Sequence, residues 1–271
     1  MASLITKPAQ RRGRFHTLTV AAVERLTDDA VAVSFAIPDE LAAEFVFEPG
    51  QHLTLRVTVD GNDVQRSYSI CISRPKALER KEVRIAAARV DGGLLSNWIN
   101  DGVAAGDQME VMTPLGEFTC ATRPDGARHH VAIAAGSGIT PVMSLLSTAL
   151  AEEPASRATL IFGNRTTSSI MFRKELEDLE DEHLDRFQVI NVLSREAQAT
   201  GLFSGRLDRE RLGRILGPLV PIQDVDEWYV CGPSGLVESA RGLLADLGVD
   251  TRHVHHEVFH VDGPSQPPTT A

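Results

Sequence analysis

One change of rhythm constrains this chain more than any other feature. Up to Met112 its apolar residues fall in short alternating or β-branched stretches: Thr17–Val23, Ala30–Ile37, His52–Val59, Ser67–Ile72, Val83–Val90 and Gln108–Met112. Turn signals at Asp28-Asp29, Pro49-Gly50, Asp60-Gly61, Pro75 and Gly106-Asp107 separate them, and a single helical pattern, Leu94–Asn100, interrupts the series. Six such strands predict an antiparallel Greek-key barrel, because closure removes exposed sheet edges. From His129 the pattern becomes strand, helix, strand, helix. Strands are expected at His129–Ala135, Arg157–Phe162, Phe187–Leu193, Glu227–Val230 and His253–Phe259. Helices are expected near Pro141–Glu152, Phe172–His183, Asp208–Leu216 and Leu236–Leu247. That alternation predicts a five-stranded parallel, doubly wound α/β unit, which takes ligands beyond the carboxyl ends of its strands. The polar segment Thr122–Arg128 sets the division: a barrel domain over 14–124, an α/β domain over 128–260 and a Pro-rich, linker-like tail over 261–271.

Charge and cysteine content narrow the function. The net charge of −10 speaks against a nucleic-acid partner. Apolar runs such as Val131–Ala135 fall far short of the ~18 residues a membrane span needs. The N-terminal residues, with Arg11, Arg12 and Arg14, show no apolar export signal, so a cytoplasmic location is expected. The three cysteines, Cys71, Cys120 and Cys231, are too few and too scattered for a disulfide framework or an iron–sulfur cluster.

Four motifs carry chemistry. Gly136-Ser137-Gly138-Ile139-Thr140-Pro141 follows the first strand of the α/β half. Its glycines permit close approach of a phosphate, with Thr140 expected to cap the next helix and Pro141 to start it. Pro replaces the third glycine of the usual dinucleotide fingerprint, so this is a variant of it. Arg66-Ser67-Tyr68-Ser69 offers a planar cation, an aromatic ring and a hydroxyl within four residues, a set that can hold a phosphate and a flat heterocycle. Gly92-Gly93 opens the lone barrel helix, again a diphosphate-type cradle. Cys231-Gly232-Pro233 ends the fourth α/β strand and puts a small thiol at the ligand crevice. The histidines His253, His255, His256 and His260 suggest a metal, but strand alternation splits them between two faces, so no metal site is expected. Arg74–Arg84 concentrates positive charge in an acidic chain; it reads either as a docking surface for an acidic acceptor or as a solvated loop.

In this order the pieces resemble the ferredoxin–NADP reductase superfamily over nearly the whole chain. The matching stretches are PGQHLTL (Pro49–Leu55), RSYSIC (Arg66–Cys71), AIAAGSGITP (Ala132–Pro141), IFGNRT (Ile161–Thr166), MFR (Met171–Arg173), CGP (Cys231–Pro233) and HEVF (His256–Phe259). Within the superfamily the chain is most similar to oxygenase reductases fused to a plant-type ferredoxin domain, in particular the phenylacetyl-CoA epoxidase branch. Steroid-hydroxylase reductases share most of the motifs. The resemblance implies an NAD(P)H-dependent flavoprotein with FAD in the barrel and a nicotinamide nucleotide on the α/β half. Hydride would pass to the flavin, and single electrons to the [2Fe–2S] centre of a ferredoxin domain or protein that serves an oxygenase.

The resemblance also implies roles. Arg66 would bind the flavin pyrophosphate, Tyr68 pack on the isoalloxazine, and Ser69 lie near flavin N5. Gly93, Leu94 and Ser96 would hold the diphosphate. Gly136, Gly138 and Thr140 would line the nucleotide site, Cys231 would lie by the nicotinamide C4, and Glu257 and Phe259 would approach the flavin. Ser67, Arg89, Gly92, Asn164, Gly232 and Pro233 complete the implied cofactor-binding set, although relatives often carry Lys where this chain has Ala88. Ser194-Arg195 and Arg165 resemble a 2′-phosphate clamp, which favours NADPH with NADH as the alternative. Two other functions fit the same motifs: a free-standing ferredoxin, flavodoxin or flavin reductase, and a non-redox nucleotide sensor.

Overall fold

The computed structural model describes residues 13–59 and 61–259. The tail, His260, Arg11 and Arg12 lie outside them.

The first half is an antiparallel sheet of β1 (Phe15–Thr27), β2 (Ala30–Ala36), β3 (His52–Val59), β4 (Asn62–Ser69), β5 (Glu82–Ala88) and β6 (Gln108–Met112), ordered β4-β3-β6-β1-β2-β5. It curls until its two outer strands meet at one bridge, Ile70 with Ile85. Alternate side chains fill the interior, among them Leu18, Phe35, Leu53, Leu55, Ile85 and Val111. β4 begins earlier than its composition suggests. Asn62–Gln65 has little strand propensity, but pairing with β3 supplies cross-strand bonds, Thr58 to Asp63 at 2.7 Å and Thr54 to Ser67 at 3.0 Å.

Two helices belong to this half, α1 (Arg74–Arg80) and α2 (Leu94–Gly102). The basic segment is therefore no loop. Ser73 caps α1 by accepting from the Lys76 amide, Pro75 sits in its first turn, and Lys81 ends it in the left-handed region at φ 52°. Nor is its charge all offered to solvent. Arg74 donates to Glu152 at 2.9 Å, Glu48 at 3.0 Å and Thr122 at 2.8 Å. Arg84 is buried between Glu175 at 2.8 Å and Glu24 at 2.7 Å. The docking reading of Arg74–Arg84 loses these two cations to internal ties.

The second half is a parallel sheet of β7 (His129–Ala135), β8 (Arg157–Asn164), β9 (Phe187–Leu193), β10 (Glu227–Gly232) and β11 (Val254–Val258), ordered β11-β10-β7-β8-β9. Its helices are α3 (Ile139–Glu152), α4 (Arg173–Glu182), α5 (Arg209–Ile215) and α6 (Ser234–Asp246). Strand alternation sorts the two faces. Val131, Ile133, Trp228 and Val230 pack with α5 and α6, whereas Ala132, Ala134, Tyr229 and Cys231 pack with α3 and α4.

That second face also meets the barrel. Ala30, Cys71, Ala86 and Phe118 join its cluster, and the Ser144 hydroxyl donates to the Ile72 carbonyl at 2.9 Å. Helix α3 is wedged between the halves, with 11 of its 14 residues buried. A side chain on Gly50 would lie 2.0 Å from the Phe118 carbonyl oxygen, and φ is +93° there, so only glycine suits this contact.

Candidate active site

Strand order reverses between β7 and β10, and their carboxyl ends form the crevice that such sheets use for ligands. Gly136 leaves β7 at φ +53°, a 3-10 turn runs over Gly136–Gly138, and α3 starts without a side-chain cap. Thr140 is not that cap. It lies inside the first turn, buried, with its hydroxyl donating to the Ser137 carbonyl at 3.0 Å. Gly138 has a packing reason to be glycine, since a Cβ there would come within 2.3 Å of the Cys231 carbonyl oxygen. Around Gly136, by contrast, a Cβ would meet nothing within 4 Å.

Cys231 and Glu257 form one rung of the β10–β11 ladder. Burial, and then the neighbouring Glu257, pushes the Cys231 thiol well above its usual range, so it stays protonated. Burial likewise raises the Glu257 carboxyl, whose Oε2 is buried without a hydrogen-bond partner among the described residues. The Phe259 amide donates to the Gly232 carbonyl at 2.9 Å, and its ring packs against the cluster shared with the barrel. Pro233 ends the turn and opens α6.

On the barrel side, Arg66, Ser67, Tyr68 and Ser69 occupy the last half of β4 opposite Leu55, Thr54, Leu53 and His52. Tyr68 packs against the barrel core, Ser69 is buried, and Arg66 is exposed, with its guanidinium donating to the Gln65 carbonyl at 2.8 Å. Cys71, two residues beyond Ser69, belongs to the buried cluster that contains Cys231. The segment that leaves the β4 motif thus runs into the apolar interior that lines the crevice at Cys231.

Helix α2 starts at Leu94 after Gly92, at φ +70°, and Gly93, again with no side-chain cap. The Ser96 hydroxyl accepts from the Val90 amide at 3.2 Å and stands where a Cβ on Gly93 would lie 2.6 Å away. Leu94 is half-exposed, and Arg89 is clamped by Asp101 of α2. Beyond β8 and β9 the parallel pairing continues: Ser194 donates to the Asn164 carbonyl at 2.9 Å and Arg195 to that of Arg165 at 2.8 Å. The two arginines thus share one edge, both exposed. Glu196 ties the two loops by accepting from the Thr167 amide at 2.8 Å and hydroxyl at 2.7 Å. That tie escaped the sequence reading, although Glu196 directly follows the clamp motif.

The chain's own groups fit a flavin and a dinucleotide. Two helix starts lack side-chain caps next to open glycine turns, which suits phosphates. At the carboxyl edge two buried polar atoms, Asn164 Nδ2 and Glu257 Oε2, have no partner among the described residues and are available to a ligand.

Comparison with known proteins gives the same picture. The family described as oxidoreductase FAD-binding domain matches residues 17–120, and the oxidoreductase NAD-binding domain matches residues 132–242. A component of the 1,2-phenylacetyl-CoA epoxidase of Escherichia coli (strain K12) is 39% identical over 249 residues, covering 92% of this chain and 69% of that protein. The ferredoxin reductase component of the 3-ketosteroid-9-alpha-monooxygenase from Rhodococcus rhodochrous is 34% identical over 245 residues, which is 90% of this chain and 64% of its own. Among solved structures, an Amycolatopsis cytochrome P450 reductase aligns with a TM-score of 0.76 at 26% identity, over 92% of this chain and 71% of that one. The FAD/NAD-binding domain of a Vibrio cholerae nitric oxide dioxygenase shares the fold, with a TM-score of 0.75 at 24% identity over 92% and 99% of the two chains.

Proposed function

Because the chain belongs to the ferredoxin reductase family of FAD- and NAD-binding oxidoreductases, we propose that it carries electrons from NADPH to an iron–sulfur centre serving an oxygenase of the phenylacetyl-CoA epoxidase type. The observation that carries this reading is that Cys71, two residues past the β4 motif, shares one buried cluster with Cys231, whose rung partner is Glu257. Such an interior keeps water away from a site where hydride must pass. FAD, when bound, accepts electrons as a pair and releases them singly, which links a nicotinamide donor to a metal acceptor.

The chain's residues do the positioning. Arg66 and the α2 start at Gly92, Gly93, Leu94 and Ser96 hold the diphosphate, with Arg89 bracing α2 through Asp101. Tyr68 supplies a flat face, and the Ser67 and Ser69 hydroxyls offer edge donors. Gly136, Gly138 and Thr140 shape the nucleotide crevice, closed at its far wall by Gly232 and Pro233. Cys231, as a neutral thiol, contributes bulk without charge beside the reacting carbon. Glu257 holds a proton on its carboxyl to higher pH than an exposed glutamate. Phe259 covers the ring system. Asn164, Arg165, Ser194 and Arg195 take the outer nucleotide and its 2′-phosphate, the basis for preferring NADPH over NADH.

We assign residues 14–124 to the flavin half and 128–260 to the nucleotide half. The electron acceptor is a [2Fe–2S] ferredoxin domain or protein, followed by the oxygenase. No helix among the described residues is long and apolar enough to cross a membrane, and we read the enzyme as cytoplasmic. The experiment is anaerobic addition of NADPH to the purified, FAD-reconstituted protein. The oxidised flavin absorbance should bleach within seconds, and Tyr68→Ala should lose flavin. A preparation that takes up no flavin, or flavin that NADPH does not bleach, would favour a nucleotide-sensing role.

A further inference from the structure

At the amino-terminal end of the β10–β11 ladder lies a second cluster of reactive side chains. Glu227 opens β10, His255 approaches it from β11 and His253 from the 3-10 turn just before that strand, and Cys120 arrives from the segment leaving the barrel. Ligand atoms of Cys120, Glu227 and His255 all lie within 4.8 Å of one another. His255 Nε2 is 2.9 Å from Glu227 Oε2, and His253 Nδ1 is 3.6 Å from the same oxygen. At a strand rise of about 3.3 Å per residue, Cys231 is about 13 Å farther along β10. The cluster is therefore remote from the hydride-transfer edge.

Charge and support around it are unusual for a buried seam. Arg128 donates to the Cys120 sulfur at 3.3 Å, stands 3.7 Å from Glu227 Oε1, and is also bound to Glu153. Burial works against the Glu153 charge, yet Arg128, Ser156 and His130 hold its carboxyl down at about 2. With Cys120 ionised, three anions would face one guanidinium, leaving two negative charges that a divalent cation cancels. Behind the ligands, Tyr229 stacks on His255 at 5.4 Å and on His130 at 6.0 Å, fixing the His255 ring.

We propose that Cys120, Glu227 and His255 form a binding site for a zinc-type divalent cation, with His253, 3.6 Å from Glu227 Oε2, as the nearest further donor. The mixed sulfur, nitrogen and oxygen donors suit zinc and exclude magnesium and calcium, which take oxygen alone. The expectation of no metal, drawn from the histidines by themselves, saw only local alternation. His253 lies in the 3-10 turn before β11, off the strand that carries His255, and the other ligands come from elsewhere in the chain. On binding, the Cys120 thiol gives its proton to solvent. His255 presents Nε2 to the ion and carries its ring proton on Nδ1. The ion ties the segment between the halves to the edge strand of the parallel sheet.

The test uses tag-free, full-length, FAD-loaded protein, stripped with a chelator and titrated with zinc chloride by calorimetry. Cobalt(II) is added in parallel and read as a difference spectrum against the same flavin-loaded protein. One zinc per chain and a thiolate-to-cobalt charge-transfer band are expected. Cys120→Ser should abolish that band. Cys120→Ser and His255→Gln should each weaken zinc binding by about a hundredfold or more, since a lost ligand costs at least as much as a lost outer partner. Flavin content should stay unchanged in both. His255 is on an edge strand, so its variant decides the matter should Cys120→Ser lose its fold. Absence of saturable zinc binding, or binding that His255→Gln leaves intact, would overturn the proposal.

Discussion

Arg195 shows how a backbone contact can direct a side chain's chemistry. Its amide continues the parallel pairing beyond β9, so its guanidinium shares an edge with that of Arg165. A planar cation on that edge suits the extra phosphate of NADPH, which NADH lacks. Arg195→Ala should lower kcat/KM for NADPH about 10- to 150-fold more than for NADH, the range expected for one charge-assisted contact. Equal losses with both nucleotides would remove the NADPH preference. Residue identities were legible at most of these positions, but their reasons were only partly so. Gly138 reads as part of a phosphate loop, yet its absent side chain makes room for the Cys231 carbonyl, a contact 93 positions away that no local pattern encodes. Thr140 fits a cap by composition and is displaced from that role because the helix begins two residues earlier, at Ile139, with Gly138 as its N-cap.

At the scale of elements, one tight junction lies between the α3 start and the end of β10. Gly138→Ala must push the Cys231–Gly232 backbone away, because its new carbon would overlap a carbonyl rather than a flexible side chain. It should destabilise the protein by about 1–3 kcal/mol, the usual cost of overpacking, and raise KM for the nucleotide. A thermal melt and a nucleotide titration check both; a wild-type melting temperature would mean the strand end yields freely. The parallel half was readable almost element by element, since β-α alternation fixes its connections. Helix α1 was not, because its charges drew the reading toward a surface loop although Ser73 and Pro75 are ordinary start signals. Strand β4 was cut short for the opposite reason. Its first residues owe their conformation to β3 rather than to their own propensity.

For the whole molecule, the question is how far electrons can travel without another protein. Cys71 is buried, with burial raising its thiol to about 12, and Cys231 is buried at the crevice, so neither is placed as an iron–sulfur ligand. NADPH should therefore support ferricyanide reduction by this chain at full rate. Oxygenase-coupled turnover should appear only when a [2Fe–2S] ferredoxin is added, and steady-state assays with and without it make the comparison. Coupled turnover at full rate with no iron bound would contradict the relay.

The wedged position of α3 also bears on how such a molecule could be reshuffled. The helix belongs by sequence to the second half, yet its buried surface answers to both, and Arg74, Ser144 and Arg84 cross the seam beside it or near it. A recombination event that joined this barrel to a foreign nucleotide half at residues 122–128 would keep both sheets intact and still mismatch the helix between them. The heritable unit is then larger than either sheet. It is the pair, with α3 as the lock whose two sides must change in step.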